Sequence, residues 1–182
     1  MYLISAYFDE NTNKILKHLQ QRIADKTGND FMIRNNVMPH LTISAIEARN
    51  IDVLIPEFEK VCRGKLQPLE EKSVANNTIN IVSVGQLFPR VIYAAPVLNE
   101  YMMNLSISIY NEFATIPETN ISKFYQPYSW MPHITLGKCL DKEQMRQAFA
   151  VLQDLFMPID GRITKIGLST VNPYREVMSV EL

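Results

Sequence analysis

Short apolar runs that favour β-strands alternate along this chain with stretches that have the spacing of amphipathic helices. Residues 2–8 and 91–97 are β-rich runs, and each is followed by apolar residues spaced as on one face of a helix. The first of these stripes is Ile15, Leu16, Leu19 and Ile23, and the second is Leu98, Met102, Leu105, Ile109 and Phe113. We therefore predict a strand followed by a helix in each half of the chain.

Apolar spacing predicts one further helix in each half. It is marked in the first half by Leu54, Phe58 and Val61, and in the second half by Met145, Phe149, Leu152 and Phe156. The first of these helices should end near Gly64. The second should begin after Asp141, because Asp141 and Gln144 have the spacing of a capping box.

Two strands are predicted to close each half, at about residues 66–74, 78–85, 160–171 and 174–182. The last two should be joined by a turn at Asn172-Pro173. Both halves then have the order β-α-β-α-β-β. The pattern predicts an α+β fold of two duplicated halves, which form two lobes with mainly antiparallel sheets about a pseudo-twofold axis. Residues 115–129 form the one long segment without a regular pattern, and such loops are often functional.

A six-residue motif that occurs once in each half supports the duplication. Residues 38–43 are Met-Pro-His-Leu-Thr-Ile, and residues 131–136 are Met-Pro-His-Ile-Thr-Leu. No linker rich in Gly or Ser separates the halves, which cover about residues 1–89 and 90–182. We expect a single domain over residues 1–182, with its two lobes packed tightly together.

Each motif should place a histidine and a threonine on the same face of a strand. Side chains two positions apart point the same way, so His40 and Thr42 project together, as do His133 and Thr135. A pseudo-twofold axis would bring the two pairs to one cleft. Since imidazole has an ordinary pKa of about 6.5, one histidine can accept a proton while the other donates one. With hydroxyls to stabilise negative charge, this set of groups fits transfer at phosphorus without a metal ion.

Composition and charge exclude several classes of protein. The 182 residues include 18 basic and 19 acidic ones, a balance that disfavours coating of long nucleic acids by bulk charge. The chain starts without a signal-peptide pattern, and no apolar run approaches the ~18 residues of a membrane span, so we expect a cytoplasmic protein without a membrane partner. Cys62 and Cys139 are interpreted as buried reduced thiols. With only three histidines besides, we predict no metal and no cofactor.

The two motifs resemble those of the 2H phosphoesterase superfamily, which carries a His-x-(Thr/Ser)-x motif in each half of a duplicated fold. They are His40-Leu41-Thr42-Ile43 and His133-Ile134-Thr135-Leu136 here, and the resemblance covers nearly the whole chain. The chain looks most like the bacterial 2′-5′ RNA ligase and cyclic phosphodiesterase branch. This implies metal-independent opening of 2′,3′-cyclic phosphates of nucleosides or RNA ends, or of related cyclic or 2′-5′ phosphodiesters. In that branch the two histidines are the acid–base pair, the threonines face the phosphate, and hydrolysis usually leaves a 2′-phosphate.

Four further residues are candidates for substrate binding. Lys138 stands five positions after the second motif histidine, where ligase members often carry an arginine. Tyr125 and Tyr128 belong to the aromatic-rich segment 123–130, and their rings are suited to stacking on bases. Arg34, ahead of the first motif, is a candidate phosphate contact.

Simpler interpretations apply to several of these positions. Phe124 and Trp130 are equally well explained as core residues, and Arg34 as an ordinary surface arginine. His18, among lysines and glutamines on a helix, is interpreted as solvated. The position after the first motif where the ligases often have an aromatic residue is Ala45, which weakens base stacking there.

Three questions stay open at this level. The substrate class includes nucleoside cyclic phosphates, RNA cyclic ends, ADP-ribose cyclic phosphate and 2′-5′ oligonucleotides, and the reaction is reversible as ligation. Which histidine is the acid depends on the substrate pose. A non-catalytic module that holds RNA ends or nucleotides is the main alternative, and a two-histidine metal hydrolase is a weaker one, because neither motif carries a carboxylate at ligand spacing. We expect a monomer, since the duplicated fold builds its own cleft.

Overall fold

A computed structural model describes residues 1–65, 77–171 and 174–182 of the chain. The elements, in chain order, are β1 (Tyr2–Phe8), α1 (Glu10–Thr27), α2 (Phe31–Arg34), β2 (Leu41–Ala48), α3 (Ile55–Lys65), β3 (Thr78–Leu87), β4 (Val91–Pro96), α4 (Glu100–Phe113), β5 (Thr119–Ile121), β6 (Ile134–Lys138), α5 (Lys142–Leu155), β7 (Ile159–Val171) and β8 (Tyr174–Glu181). Short 3₁₀ turns cover Ile51–Val53 and Lys123–Tyr125. This combination of helices and antiparallel strands confirms the predicted α+β class.

Most predicted elements lie within a residue or two of their observed bounds, and the capping box of α5 is present as expected. Helix α4 starts later than predicted and leaves Leu98 outside, because the Asn99 side chain accepts a hydrogen bond from the Met102 N–H and fixes the helix start. Residues 115–129 are more regular than predicted, since they contain β5, which pairs with β2. The predicted strand at 66–74 and the turn at 172–173 lie outside the described residues.

The eight described strands form one antiparallel sheet in the order β1-β2-β6-β4-β3-β7-β8, with β5 beside β2 and a further pairing of β1 with β7. The long strand β7 pairs with β3 through residues 159–162 and with β1 through residues 163–170. We call the group β5-β2-β1-β7-β8 the first lobe and the group β6-β4-β3-β7 the second lobe. The two lobes share β7 and meet again at the start of β2 and β6.

Each lobe is covered by a pair of helices, and each pair has one helix from each half of the sequence. Helices α1 and α5 pack against each other, and α1 lies on β6. Helices α3 and α4 also pack together, and α4 lies on β2. Each lobe is therefore built from elements of both sequence halves. This interlocking does not follow from the order of elements along the chain.

The core lies between the sheet and the helices and includes the apolar residues of both motif strands. Leu41, Ile43, Ile134 and Leu136 are all at most 1% exposed, as their position opposite the motif histidines predicts. Cys62 is a buried free thiol, as expected. The same expectation is wrong for Cys139, which is only partly buried because it lies in the turn after β6, with a φ of 63°.

Candidate active site

The two motifs lie side by side at the point where β2 and β6 begin. Leu41 pairs with Ile134 in antiparallel register, which is the one ladder pair between the described parts of these strands. In this register each motif histidine lies across from the threonine of the other motif. Since Leu41 and Ile134 point into the core, the polar side chains point to the opposite face. The structure thus brings together all four side chains predicted to be catalytic, which are His40, Thr42, His133 and Thr135.

Both imidazole rings are held by the same backbone contact. Nδ1 of His40 lies 2.7 Å from the carbonyl oxygen of Met38, and Nδ1 of His133 lies 2.9 Å from that of Met131. A carbonyl can only accept, so each Nδ1 carries the hydrogen and donates it. In the neutral ring Nε2 is then the proton acceptor. The two rings therefore present the same nitrogen for proton transfer.

A tyrosine ring accompanies each imidazole. The ring centroids of Tyr7 and His40 are 6.2 Å apart, and those of Tyr93 and His133 are 5.7 Å apart in an edge-on arrangement. Neither tyrosine was predicted from the sequence. Their positions on β1 and β4, the strands next to the two motif strands, could be assigned only once strand pairing was known.

Glycines on the neighbouring strands make room for these tyrosine rings. A Cβ atom added to Gly85 would overlap the hydroxyl end of Tyr93, and one added to Gly167 would lie 2.9 Å from Cε2 of Tyr7. Real Cβ atoms do not approach other atoms so closely. The two lobes thus use the same device to seat the tyrosine beside the histidine.

The surroundings of His40 shift the pKa of its imidazole. Burial lowers the pKa of this imidazole, and the positive charges of His133 and Lys138 lower it further, while the bond to the Met38 carbonyl acts in the opposite direction. The net effect is a pKa below the ordinary value of 6.5. His40 is therefore neutral at neutral pH and able to accept a proton.

Two buried side chains hold the backbone of the motif threonines. The indole Nε1 of Trp130 donates to the carbonyl of Thr42 at 3.0 Å, and Nε2 of Gln20 donates to the carbonyl of Thr135 at 3.1 Å. Both donors are at most 7% exposed. Gln20 was missed, although a glutamine four positions after Leu16 interrupts the apolar face of α1 and is a usable signal. In each case the donor and the acceptor come from different sequence halves.

The segment 123–130 mixes buried and exposed aromatics. Trp130 is a core residue, as the simpler interpretation has it. That interpretation is wrong for Phe124, which is 68% exposed and has Nζ of Lys123 5.3 Å from its ring centroid. His18 is exposed on α1, as predicted.

The four candidates for substrate binding lie in different surroundings. Lys138 is exposed at the end of β6, and its charge acts on the first motif histidine. Tyr125 is partly buried against the core, which raises its pKa, and Tyr128 is 84% exposed with a φ of 66°. Arg34 is exposed and lies 3.7 Å from Asp30 in an ion pair. Among the described residues no hydrogen bond or ring contact joins Tyr125, Tyr128 or Arg34 to the motif side chains, so their roles stay predictions.

The described residues contain no group of three or more His, Cys, Asp or Glu side chains able to hold a metal ion. None of their helices has the length and apolar character to cross a membrane.

The duplicated α+β fold and the two facing His-x-Thr-x motifs define a protein of the 2H phosphoesterase class. The sequence profile of the 2′-5′ RNA ligase superfamily matches residues 16–172, and the chain belongs to this superfamily. A search of curated protein sequences finds no match. Among solved structures, the chain is similar to Usb1 from Kluyveromyces marxianus, determined with uridine monophosphate, at 13% identity and a TM-score of 0.46, over 100% of this chain and 97% of that one.

Proposed function

We propose that this protein is a phosphodiesterase of the 2H type that opens 2′,3′-cyclic phosphates of nucleosides or RNA ends. The observation that carries the proposal is the pairing of Leu41 with Ile134, which sets the two motif histidines beside each other with the same nitrogen presented for proton transfer. Membership of the superfamily supports an enzymatic role. Both motifs belong to one chain, so we propose that a monomer is active.

The lowered pKa of His40 supports a division of the two proton transfers in which His40 is the base. Neutral His40 removes a proton from water as the water oxygen attacks phosphorus, and His133 donates a proton to the ribose oxygen that leaves. One P–O bond forms and one breaks, and each histidine ends in the other protonation state. We expect the 3′-oxygen to leave, so that the product carries a 2′-phosphate.

The other polar groups act on the phosphoryl oxygens. The hydroxyls of Thr42 and Thr135 lie on the same face as the histidines and can donate hydrogen bonds to charge that builds on the non-bridging oxygens. Lys138 adds a positive charge nearby. Neither histidine is fully buried, which leaves a path for water and supports hydrolysis over ligation.

The test is hydrolysis of the four nucleoside 2′,3′-cyclic monophosphates in excess EDTA between pH 5 and 9. Wild type is compared with His40→Ala and His133→Ala, and His18→Ala serves as the matched control because this third histidine is exposed on α1. We expect a bell-shaped pH profile and a loss of about 10²–10⁴-fold in each motif variant, with no change in the control. Activity that survives in both motif variants, or that EDTA abolishes, contradicts the proposal.

A further inference from the structure

A cavity of about 510 Å³ is lined in part by residues that neighbour the histidine of the first motif. It lies on the first lobe, and its lining includes Tyr7, Met38, Lys165, Tyr174, Glu176 and Glu181. Two of these residues are also neighbours of His40. The Tyr7 ring lies beside its imidazole, and the Met38 carbonyl accepts its Nδ1–H. The cavity is therefore continuous with the surroundings of one proton-transfer group.

Two tyrosines form a fixed aromatic wall in this cavity. Tyr7 is 5% exposed, and its hydroxyl shares a 2.7 Å hydrogen bond with the hydroxyl of Tyr174. Burial and this bond raise the pKa of Tyr7, so its hydroxyl stays protonated. Tyr174 is 55% exposed although its hydroxyl is held. An aromatic ring that is exposed and yet fixed at its tip is suited to stacking on a planar group.

The charges in the cavity disfavour a phosphate there. Nζ of Lys165 lies 3.2 Å from a carboxylate oxygen of Glu176, so these two charges offset each other, and Glu181 adds a further carboxylate. Lys165 also lies 4.8 Å from the centroid of the Tyr7 ring. The carboxylates repel an anion but accept hydrogen bonds from hydroxyl or amino groups. The side-chain amide of Asn35, which also lines the cavity, can both donate and accept.

We propose that this cavity is the subsite for the nucleoside part of the substrate, with the base on Tyr174 and the ribose hydroxyls towards the carboxylates. The inference rests on the proposed function, which places the phosphate at the two motif histidines. The phosphate then lies near Lys138, while the neutral base and sugar extend along the first lobe past Tyr7. A volume of about 510 Å³ is in the range of small-molecule pockets.

The test compares substrates with and without a base in variants of Tyr174. The substrates are adenosine 2′,3′-cyclic monophosphate and ribose 2′,3′-cyclic phosphate. Tyr174→Ala should raise KM about 5- to 150-fold for the nucleotide and leave KM for the sugar phosphate unchanged. Tyr174→Phe keeps the ring but loses the bond to Tyr7, so it should raise KM for the nucleotide less than Tyr174→Ala does. The control is Phe88→Ala, which removes another exposed aromatic ring, 86% exposed and outside this cavity. Equal changes for both substrates, or none, overturn the subsite.

Equilibrium binding separates failure of the subsite from failure of the proposed function. Calorimetry with adenosine 2′-monophosphate and with ribose 2-phosphate needs no turnover. If Tyr174→Ala weakens binding of the nucleotide but not of the sugar phosphate, the subsite is supported, whether or not wild type hydrolyses either cyclic phosphate. A lack of hydrolysis by wild type would overturn only the proposed function. Turnover of both substrates by wild type, with nucleotide binding unchanged in Tyr174→Ala, overturns only the subsite.

Discussion

His40 and His133 share a motif and a backbone hydrogen bond, but their surroundings are not equal. Burial and nearby positive charge lower the pKa of His40. A motif gives the identity of an acid–base pair, whereas the division of roles depends on what packs around each ring. The Lys138 side chain is exposed, so a single substitution can remove its charge without disturbing the core.

The pH dependence of kcat/KM should therefore respond to Lys138. His40 must be neutral to act as base, so kcat/KM falls as pH drops through its pKa, which is below 6.5. Lys138→Met removes a positive charge, raises that pKa and moves the acidic limb of the profile to higher pH. It should also lower kcat/KM at pH 7.5 by about tenfold or more through loss of a charged contact to the phosphate. The measurement is kcat/KM for a nucleoside cyclic phosphate from pH 4.5 to 9.

Lys138→Arg is the matched control for this experiment, because arginine keeps the charge. The acidic limb of the kcat/KM profile of Lys138→Arg should coincide with that of wild type. An acidic limb that stays in place in Lys138→Met would show that the charge of Lys138 does not act on the general base.

At the scale of elements, the motif strands are held by side chains as well as by the sheet ladder. Strands β2 and β6 share one ladder pair in their described parts, and the carbonyls of the two motif threonines also receive side-chain donors. Trp130 and Gln20 supply them from outside the sheet. These contacts hold the strand backbone two residues after each motif histidine, so we expect them to act on the proposed catalysis through position.

Replacement of Gln20 should separate this positioning effect from simple packing. Gln20→Met keeps the length of the side chain but removes the amide that donates to the partly buried carbonyl of Thr135. We expect a loss of about 1–3 kcal/mol in the free energy of unfolding, measured by urea denaturation. We also expect a lower kcat with KM unchanged, because the second motif loses its alignment while substrate contacts stay in place.

The control is Gln21→Met on the same helix, where the side chain is exposed and bonds only to Asp25 among the described residues. Its stability should change by less than about 0.5 kcal/mol. If Gln20→Met loses stability but keeps the kcat of wild type, the contact is structural alone.

Local patterns in the sequence predicted the elements well because strand and helix periodicity depend on near neighbours. The strand at residues 2–8 and the capping box of α5 follow directly from such patterns. The four motif side chains could also be predicted, since a repeated His-x-Thr is a local signal. Pairing is a property of distant residues, so Tyr93 beside His133 and Gln20 beside Thr135 were not visible. The sequence thus pointed to the four side chains at the centre of the candidate site, but not to the residues that pack around them.

At the scale of the whole molecule, the two sequence halves interlock. Strand β7 has 13 residues and serves both lobes, and α1 of the first half covers β6 of the second. The candidate active site lies where the lobes meet, so its geometry depends on both.

The chain should therefore unfold in a single cooperative transition. Trp130 is the one tryptophan of the sequence, and its indole bonds to the motif strand of the other half, so its fluorescence reports on the contact between the halves. Far-UV circular dichroism reports on helices and strands throughout. In urea at neutral pH both signals should give the same midpoint and the same m-value. A fluorescence transition at lower urea than the loss of dichroism would mean that the halves separate before they unfold, and the shared strand β7 would then not couple the lobes.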